Sequence, residues 1–309
     1  MTGSAEEYPP AHSDLEILLR TAGFGDSSVI GDVGGVTAHL PSLGQVVGVT
    51  VAGPVIMNAV GVHAAPVSVG GPIRAESDRI TLRLSSSRLS STLLSDPAAH
   101  VPPTLRLFDD RGNTSHATYL TENSDRLAFE SLSLGHGPAR PRPFPVGPGI
   151  PEDTAPPHHH DDQIAQLDSI LADGGSARHA SLAASASSRA TRVNTRRVIA
   201  ALEHAALLGM TVTLAATAPG CVQMRQDRLD GGREHRGQMV LASGNARVMV
   251  NFNLVGDCWV TWPQGVWGPI GSLEIYNRTA QCCLVVTQTG VVAPEVVQAW
   301  DQLMADLIS

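Results

Sequence analysis

The 309-residue chain contains no lysine; its 21 basic residues are all arginine. Two explanations fit that absence. One is a GC-rich coding bias, and the other is a use for planar, bidentate guanidinium groups against an anionic ligand. Aromatic residues are scarce, at 4%, so Ala, Val and Leu must fill the interior. No stretch approaches the roughly 18 apolar residues of a membrane-spanning helix. The opening MTGSAEEYPPAHSD is acidic and lacks an apolar segment, which predicts neither a signal nor a transit peptide. Cys221, Cys258, Cys282 and Cys283 show no CxxC spacing and lie in apolar, strand-like surroundings. They read as buried thiols in a reducing compartment rather than as disulfides or a zinc site. GxSxG, HExxH and Walker signatures are all missing, and the Gly-rich pieces GDVGG and SVGGP lack the strand-then-helix setting of a phosphate loop. A net charge of −8, with no basic run interleaved with aromatics, repels polyanions and argues against nucleic acid. These absences predict a cytoplasmic protein with no membrane insertion.

What is present is a duplication. Arg79 to Leu120 lies over Arg247 to Gln288 at a constant shift of 168 positions, pairing RITLRL with RVMVNF and TLRLFDDRGN with SLEIYNRTAQ. Downstream, Phe129 to Leu132 matches Trp300 to Leu303; upstream, VVGVTV (46–51) matches LLGMTV (207–212). A period this long is domain-sized, since solenoid units run about 20 to 50 residues. The expected fold class is α+β, two tandem homologous domains, each an antiparallel meander with flanking helices. Residues 1–12 read as a disordered tail, 13–134 as the first half, 135–160 as a linker and 161–309 as the second half. The linker assignment rests on eight prolines within 134–157 and no hydrophobic periodicity. Asp109-Asp-Arg-Gly112 predicts a hairpin turn. Helices are predicted near 14–23, 124–132, 161–172, 176–188, 194–208 and 294–307, with short strands between.

Several residues are candidates for chemistry. In a strand over 247–254, Arg247, Met249, Asn251 and Asn253 share the face opposite Val248, Val250, Phe252 and Leu254; that face is either solvated or lines a cavity. Trp259, Trp262 and Trp267 cluster within nine residues, which suits either a flat aromatic ligand with acidic groups or a tryptophan-rich core. His158, His159 and His160 stand where the linker ends. Consecutive side chains point in different directions, so a solvated, weakly metal-binding segment is the alternative to a metal site. Asp161 or Asp162 suits a helix cap. His100 lies in a loop that the repeat sets opposite Gly268, beside Trp267.

The run from Thr104 to Leu132, with its strand, D-x-x-G turn, second strand and Thr121-Glu-Asn-Ser-Asp125 helix start, resembles the haem-utilisation proteins of the HemS/ChuS/HmuS type. Gly220-Cys-Val-Gln223 looks like that family's GCVQ, Cys258 to Thr261 like its AWVT, and Ser272 to Tyr276 like its TSLELF. The resemblance implies saddle-like antiparallel sheets with helices, one per half, and haem in a cleft of the second half. The family's axial histidine falls at Ala165, its distal arginine near Ala99 or His100, and the arginine after AWVT at Trp262. Haem iron would therefore draw on His100 or His160, with Trp262 and Trp267 against the ring and Arg247 or Arg225 on a propionate. Three functions follow from the resemblance: a cytoplasmic haem carrier for uptake and iron utilisation, exchanging with a haem ABC importer or a reductase; a haem-degrading enzyme; or a binding module that has lost haem.

Overall fold

A computed structural model describes residues 12–21, 27–73, 75–98, 100–135, 162–184, 190–266 and 268–309. Nearly all of the expected tail and linker, with His158, His159, His160 and Trp267, lie outside the described residues. The first half runs α1 (Asp14–Arg20), β1 (Ser27–Ile30), α2 (Val33–Ala38), β2 (Gly44–Ala52), β3 (Val55–His63), β4 (Val67–Ser68), β5 (Arg79–Leu84), β6 (Leu89–Ser95), β7 (Thr104–Asp109), β8 (Thr114–Ser124) and α3 (Arg126–Gly135). The second half opens with α4 (Gln163–Asp173), α5 (Ser176–Ala184), β9 (Ala190–Val193), α6 (Thr195–Leu207), β10 (Thr211–Ala218) and β11 (Cys221–Arg228). It continues through β12 (Gly231–His235), β13 (Gln238–Ser243), β14 (Ala246–Asn251), β15 (Val255–Thr261), β16 (Gln264–Gly265), β17 (Gly268–Pro269), β18 (Ser272–Asn277), β19 (Cys282–Thr287) and α7 (Pro294–Ile308). The fold is α+β. No helix among the described residues is long and apolar enough to cross a membrane.

Local chemistry explains the element ends. Ser13, rather than Asp14, caps α1: its side chain accepts from the Glu16 amide while the Glu16 carboxylate takes the Ser13 amide. Asn194 caps α6, Asp162 caps α4, and Pro294 opens α7, where a missing amide proton costs nothing. The β7–β8 turn forms as predicted. Asp109 Oδ1 accepts from the amides of Arg111 and Asn113 at 2.9 and 2.7 Å, and Gly112 adopts φ 76°, a conformation a β-carbon would strain. The strand at 247–254 is shorter than expected, because a 3₁₀ turn at 252–254 ends it after Asn251 and leaves Leu254 exposed. Helix α2 went unpredicted because VGGVTA carries two glycines; Asp32 caps it by accepting from the Gly35 amide.

Two curved sheets form, linked by a short parallel contact between β3 and β5. One orders its strands β1-β6-β7-β8-β2-β3-β14-β13-β12. The other runs β9-β15-β18-β19-β10-β11-β5-β4. Each half's own strands are thus extended by strands of the other half: β14, β13 and β12 follow β3, and β5 and β4 follow β11. Val55 stands opposite Val250 and Cys221 opposite Leu84, so the seam repeats at a shift of 166 (Val55 to Cys221, Leu84 to Val250). From β7 and β18 onward the shift is 168 (Thr104 to Ser272). The loop after β15, which holds β16 and β17, carries the two extra residues. Across β5 and β14 the equivalent positions therefore lie 166 apart, two fewer than the 168 of the ungapped alignment. An even difference leaves every side chain on its own face of the strand. The upstream match fails: 207–212 spans the end of α6 and the start of β10, and β2 corresponds to β10 through their hairpins with β3 and β11.

Packing follows the exchange. The second-half core gathers Val198, Leu202, Leu214, Leu241, Val248, Leu273, Ile275, Leu284, Val286 and Trp300 and takes in Ala52, Val55 and Met57 from the first half. The first-half core, around Leu40, Leu43, Ile80, Leu105, Leu107 and Phe129, takes in Cys221 and Ala246 from the second. Phe129 on α3 and Trp300 on α7 are the equivalent aromatic plugs, as the repeat predicts.

Candidate functional site

Three places concentrate polar side chains, and the first is the seam. On β11, Cys221, Gln223 and Arg225 alternate with Val222 and Met224, placing GCVQ against the first half. Thr50 Oγ1 donates to Gln223 Oε1 at 2.8 Å and lies 2.9 Å from His116 Nδ1. Thr118 Oγ1 joins His116 Nε2 at 3.2 Å to His63 Nε2 at 3.0 Å. All five side chains are buried. Burial lowers the pKa of His63 to about 4 and that of His116 well below its ordinary value, so both rings are neutral at pH 7. GCVQ is a joint between halves in this chain. Arg225, expected near a propionate, is buried and donates to Asp227 Oδ2 at 2.9 Å.

The second place is the layer that α4 and α5 form over the outer face of the second sheet, where the resemblance sets the axial ligand. Asp162 accepts from the Ala165 amide at 2.6 Å, so Ala165 sits in the capped first turn. Leu167, Ile170 and Leu171 pack on Ala215, Val222, Met224 and Val285. Beneath them Glu274, fully buried, accepts from Arg178 through both carboxylate oxygens (2.9 and 2.6 Å), from Gln166 (2.7 Å), Thr261 (2.6 Å) and Tyr276 (2.7 Å). Burial opposes ionisation of Glu274, but the Arg178 guanidinium and these donors outweigh it and hold its pKa below the usual value. Burial and the neighbouring carboxylate together push the Tyr276 phenol upward. Gln163 donates to Thr287 and to the Gln288 carbonyl, and Asp168 takes Arg83 and the Gly70 amide from the first half. A methyl group stands at the ligand position and the protein's own side chains fill the space below it. The residues present do not fit haem there. His179 on α5 lies 2.9 Å from Asp257 and 4.8 Å, centroid to centroid, from Tyr276; His179 and Asp257 stand 78 positions apart, so no local pattern could announce the pair.

The third place is a surface cleft of the first half, between α3 and the loop from β6 to β7. His100 lines it, exposed, with Pro97, Val101, Pro102, Pro103, Leu120 and Arg126, around a volume of about 360 Å³. It adjoins a second hollow of about 570 Å³ that shares Pro97, Pro103, Leu120 and Arg126 and reaches Leu94 and Phe129. Arg126 was not anticipated, because at the start of α3 it reads as an ordinary solvated residue.

The other expected residues are dispersed. Trp262 is half-buried against the second-half core, and Trp259 is buried beneath α4, so these two serve as core tryptophans. Arg247 is exposed on β14 and donates to the carbonyls of Gly244 and Ala246. His100 follows β6 and Trp262 follows its counterpart β15, so they lie in equivalent loops of different sheets, away from the seam. Burial raises the Cys221, Cys258 and Cys283 thiols to about 12, and Cys282 is also raised, which makes all four unreactive as nucleophiles. Among the described residues no three or more His, Cys, Asp and Glu side chains gather for a metal ion.

No protein-family model matches the sequence, and no curated protein matches it. Solved structures do. Apo-PhuS, a haem-binding protein from Pseudomonas aeruginosa, superposes with a TM-score of 0.72 at 17% identity over 96% of this chain and 91% of its own. ChuS, an E. coli haem oxygenase, gives 0.72 at 17% identity over 92% of this chain and 89% of its own. The chain therefore has the tandem fold of PhuS and ChuS over nearly its whole length.

Proposed function

We propose that this protein binds haem in the first-half cleft and handles it as a cytoplasmic carrier. The observation that carries the reading is the full-length fold shared with two haem proteins. The cleft supplies what a porphyrin requires: an imidazole at His100, the Arg126 guanidinium for a propionate, and proline, leucine and phenylalanine walls. Its two parts each lie within the roughly 300–1,000 Å³ of ordinary ligand sites. Apolar contact contributes about 25 cal/mol per Å² removed from water, so the walls add to whatever the iron–imidazole bond provides. Bound haem would supply the iron centre; His100 would hold the metal and Arg126 would orient the ring by its acid edge. Asp96, Glu122, Glu130, Arg126 and His100 are all exposed, which leaves the cleft open to water. That openness favours carriage over oxygen chemistry, which depends on an enclosed distal pocket with hydrogen-bond donors. A haem importer or a reductase is the class of partner with which such a carrier exchanges.

Titration with haemin should give a shifted Soret band in the wild type. His100→Ala should lose that coordination signature and weaken binding by about tenfold, the equivalent of about 1.4 kcal/mol, and Arg126→Ala should weaken binding with the band position kept. An unchanged spectrum and affinity in His100→Ala would remove the ligand assignment. With ascorbate and oxygen the Soret band should persist; its loss with formation of a linear tetrapyrrole would favour the degrading enzyme instead.

A further inference from the structure

We infer that the side chains of Gln223, Thr50, His116, Thr118 and His63 form an acid-released latch between the two halves. Thr50 has one hydroxyl proton and gives it to Gln223 Oε1, so it must accept from His116 Nδ1–H. A neutral His116 then bears a lone pair on Nε2, which takes the Thr118 proton; Thr118 in turn accepts from His63 Nε2–H. The two imidazoles hold opposite tautomers, and each bond fixes the direction of the next. The chain starts on β3 and β8, passes through β2 and ends on β11 of the other half. It runs behind the strand exchange that joins them.

A proton added to His116 goes to Nε2 and reverses the pattern. One added to His63 goes to Nδ1, keeps the bond to Thr118 and puts a charge in a fully buried site, where burial outweighs the help of the Ile80 backbone. A charged His116 presents N–H to Thr118, whose only proton already points toward it, and a charge stands where nothing compensates it. The groups facing the chain from β2 and β5 are Gly48, Ile80 and Leu82, and those from β11 are Cys221 and Gln223; Gly48 leaves space for the His116 ring, which a β-carbon there would meet at 3.2 Å. The nearby charged groups are committed elsewhere: Arg225, next on the same face of β11, to Asp227, and Arg83, on the opposite face of β5, to Asp168. Cys221, on the same face of β11 as Gln223, is kept protonated by burial.

The sign follows from the lowered folded-state values. Between an unfolded value of 6.5 and a folded value of about 4 for His63, the unfolded chain binds protons that the folded chain refuses. Stability is complete above that window and falls as pH drops through it. The unfolding constant should rise by up to about tenfold per pH unit for each histidine. Nitrogen-15 NMR of the imidazoles in the intact protein at pH 6 should show two neutral rings in opposite tautomers. Urea unfolding between pH 7 and 4.5 should show the wild-type slope reduced by about one proton in His63→Gln, which keeps the donor to Thr118 without a titrating ring, and likewise in His116→Asn. Hydrogen exchange on lowering the pH should rise first in β3, β5, β11 and β14, ahead of β18 and β19. Identical tautomers, a charged ring at pH 6, or an unaltered slope in both variants would overturn the latch, and the NMR result decides the matter even where a variant fails to fold.

Discussion

Arg178→Met should destabilise the protein by about 3–5 kcal/mol, the cost of breaking a buried ion pair from one side. Glu274 is fully buried and the Arg178 side chain only 19% exposed, so removing the guanidinium strands a carboxylate that water cannot reach. Gln166, Thr261 and Tyr276 still donate to it, which places the loss toward the lower part of that range. The double variant Arg178→Met/Glu274→Leu should recover most of the loss, because an apolar pair leaves no uncompensated charge. Urea unfolding at pH 7 measures both variants; a double variant no better than the single would show that packing of α5, and not the stranded charge, sets the cost. The same pair gives an acid limb separate from that of the seam histidines. The Glu274 contribution is complete above an unfolded value near 4.5 and is lost as pH falls through its depressed folded value.

Trp300→Ala should cost a similar 3–5 kcal/mol. The indole is fully buried in the second-half core, and its Nε1 donates to the Gly271 carbonyl at 2.8 Å. That carbonyl keeps a second donor in Thr287, so the loss is chiefly a cavity and not an orphaned acceptor. Ala52, Val55 and Met57 of the first half belong to the same core. One transition at lower urea is therefore expected, with near-UV circular dichroism and hydrogen exchange reporting both halves together. Two separated transitions would mean that the exchanged strands do not couple the halves.

The residues legible in the sequence are those whose role is local. The Asp109–Gly112 turn, the Asp162, Asn194 and Pro294 helix starts and the period-two alternation of β3 and β14 are dictated by neighbours a few positions away. Four buried thiols and aliphatic cores were likewise legible, because burial tracks side-chain chemistry. The α+β tandem fold followed from the order of these elements.

Contacts between distant residues were beyond that reach. Nothing near Gln223 announces Thr50, 173 positions away, and nothing near Glu274 announces Arg178, 96 positions away. The exchange of β5 and β14 between halves, the conversion of GCVQ into a joint, and the filling of the face below Ala165 depend on which surfaces meet once the sheets curve together. Sequence by itself determined two copies of one α+β unit and the parity of the strand faces across β5 and β14. Tertiary structure alone decided that the copies share strands, that His100 looks into an open cleft with Arg126, and that Trp259 and Trp262 pack with buried residues of the second half. The physical reason is that backbone hydrogen bonding and alternation are read over a few residues, whereas burial of a particular polar group is fixed by partners that chain connectivity leaves far apart.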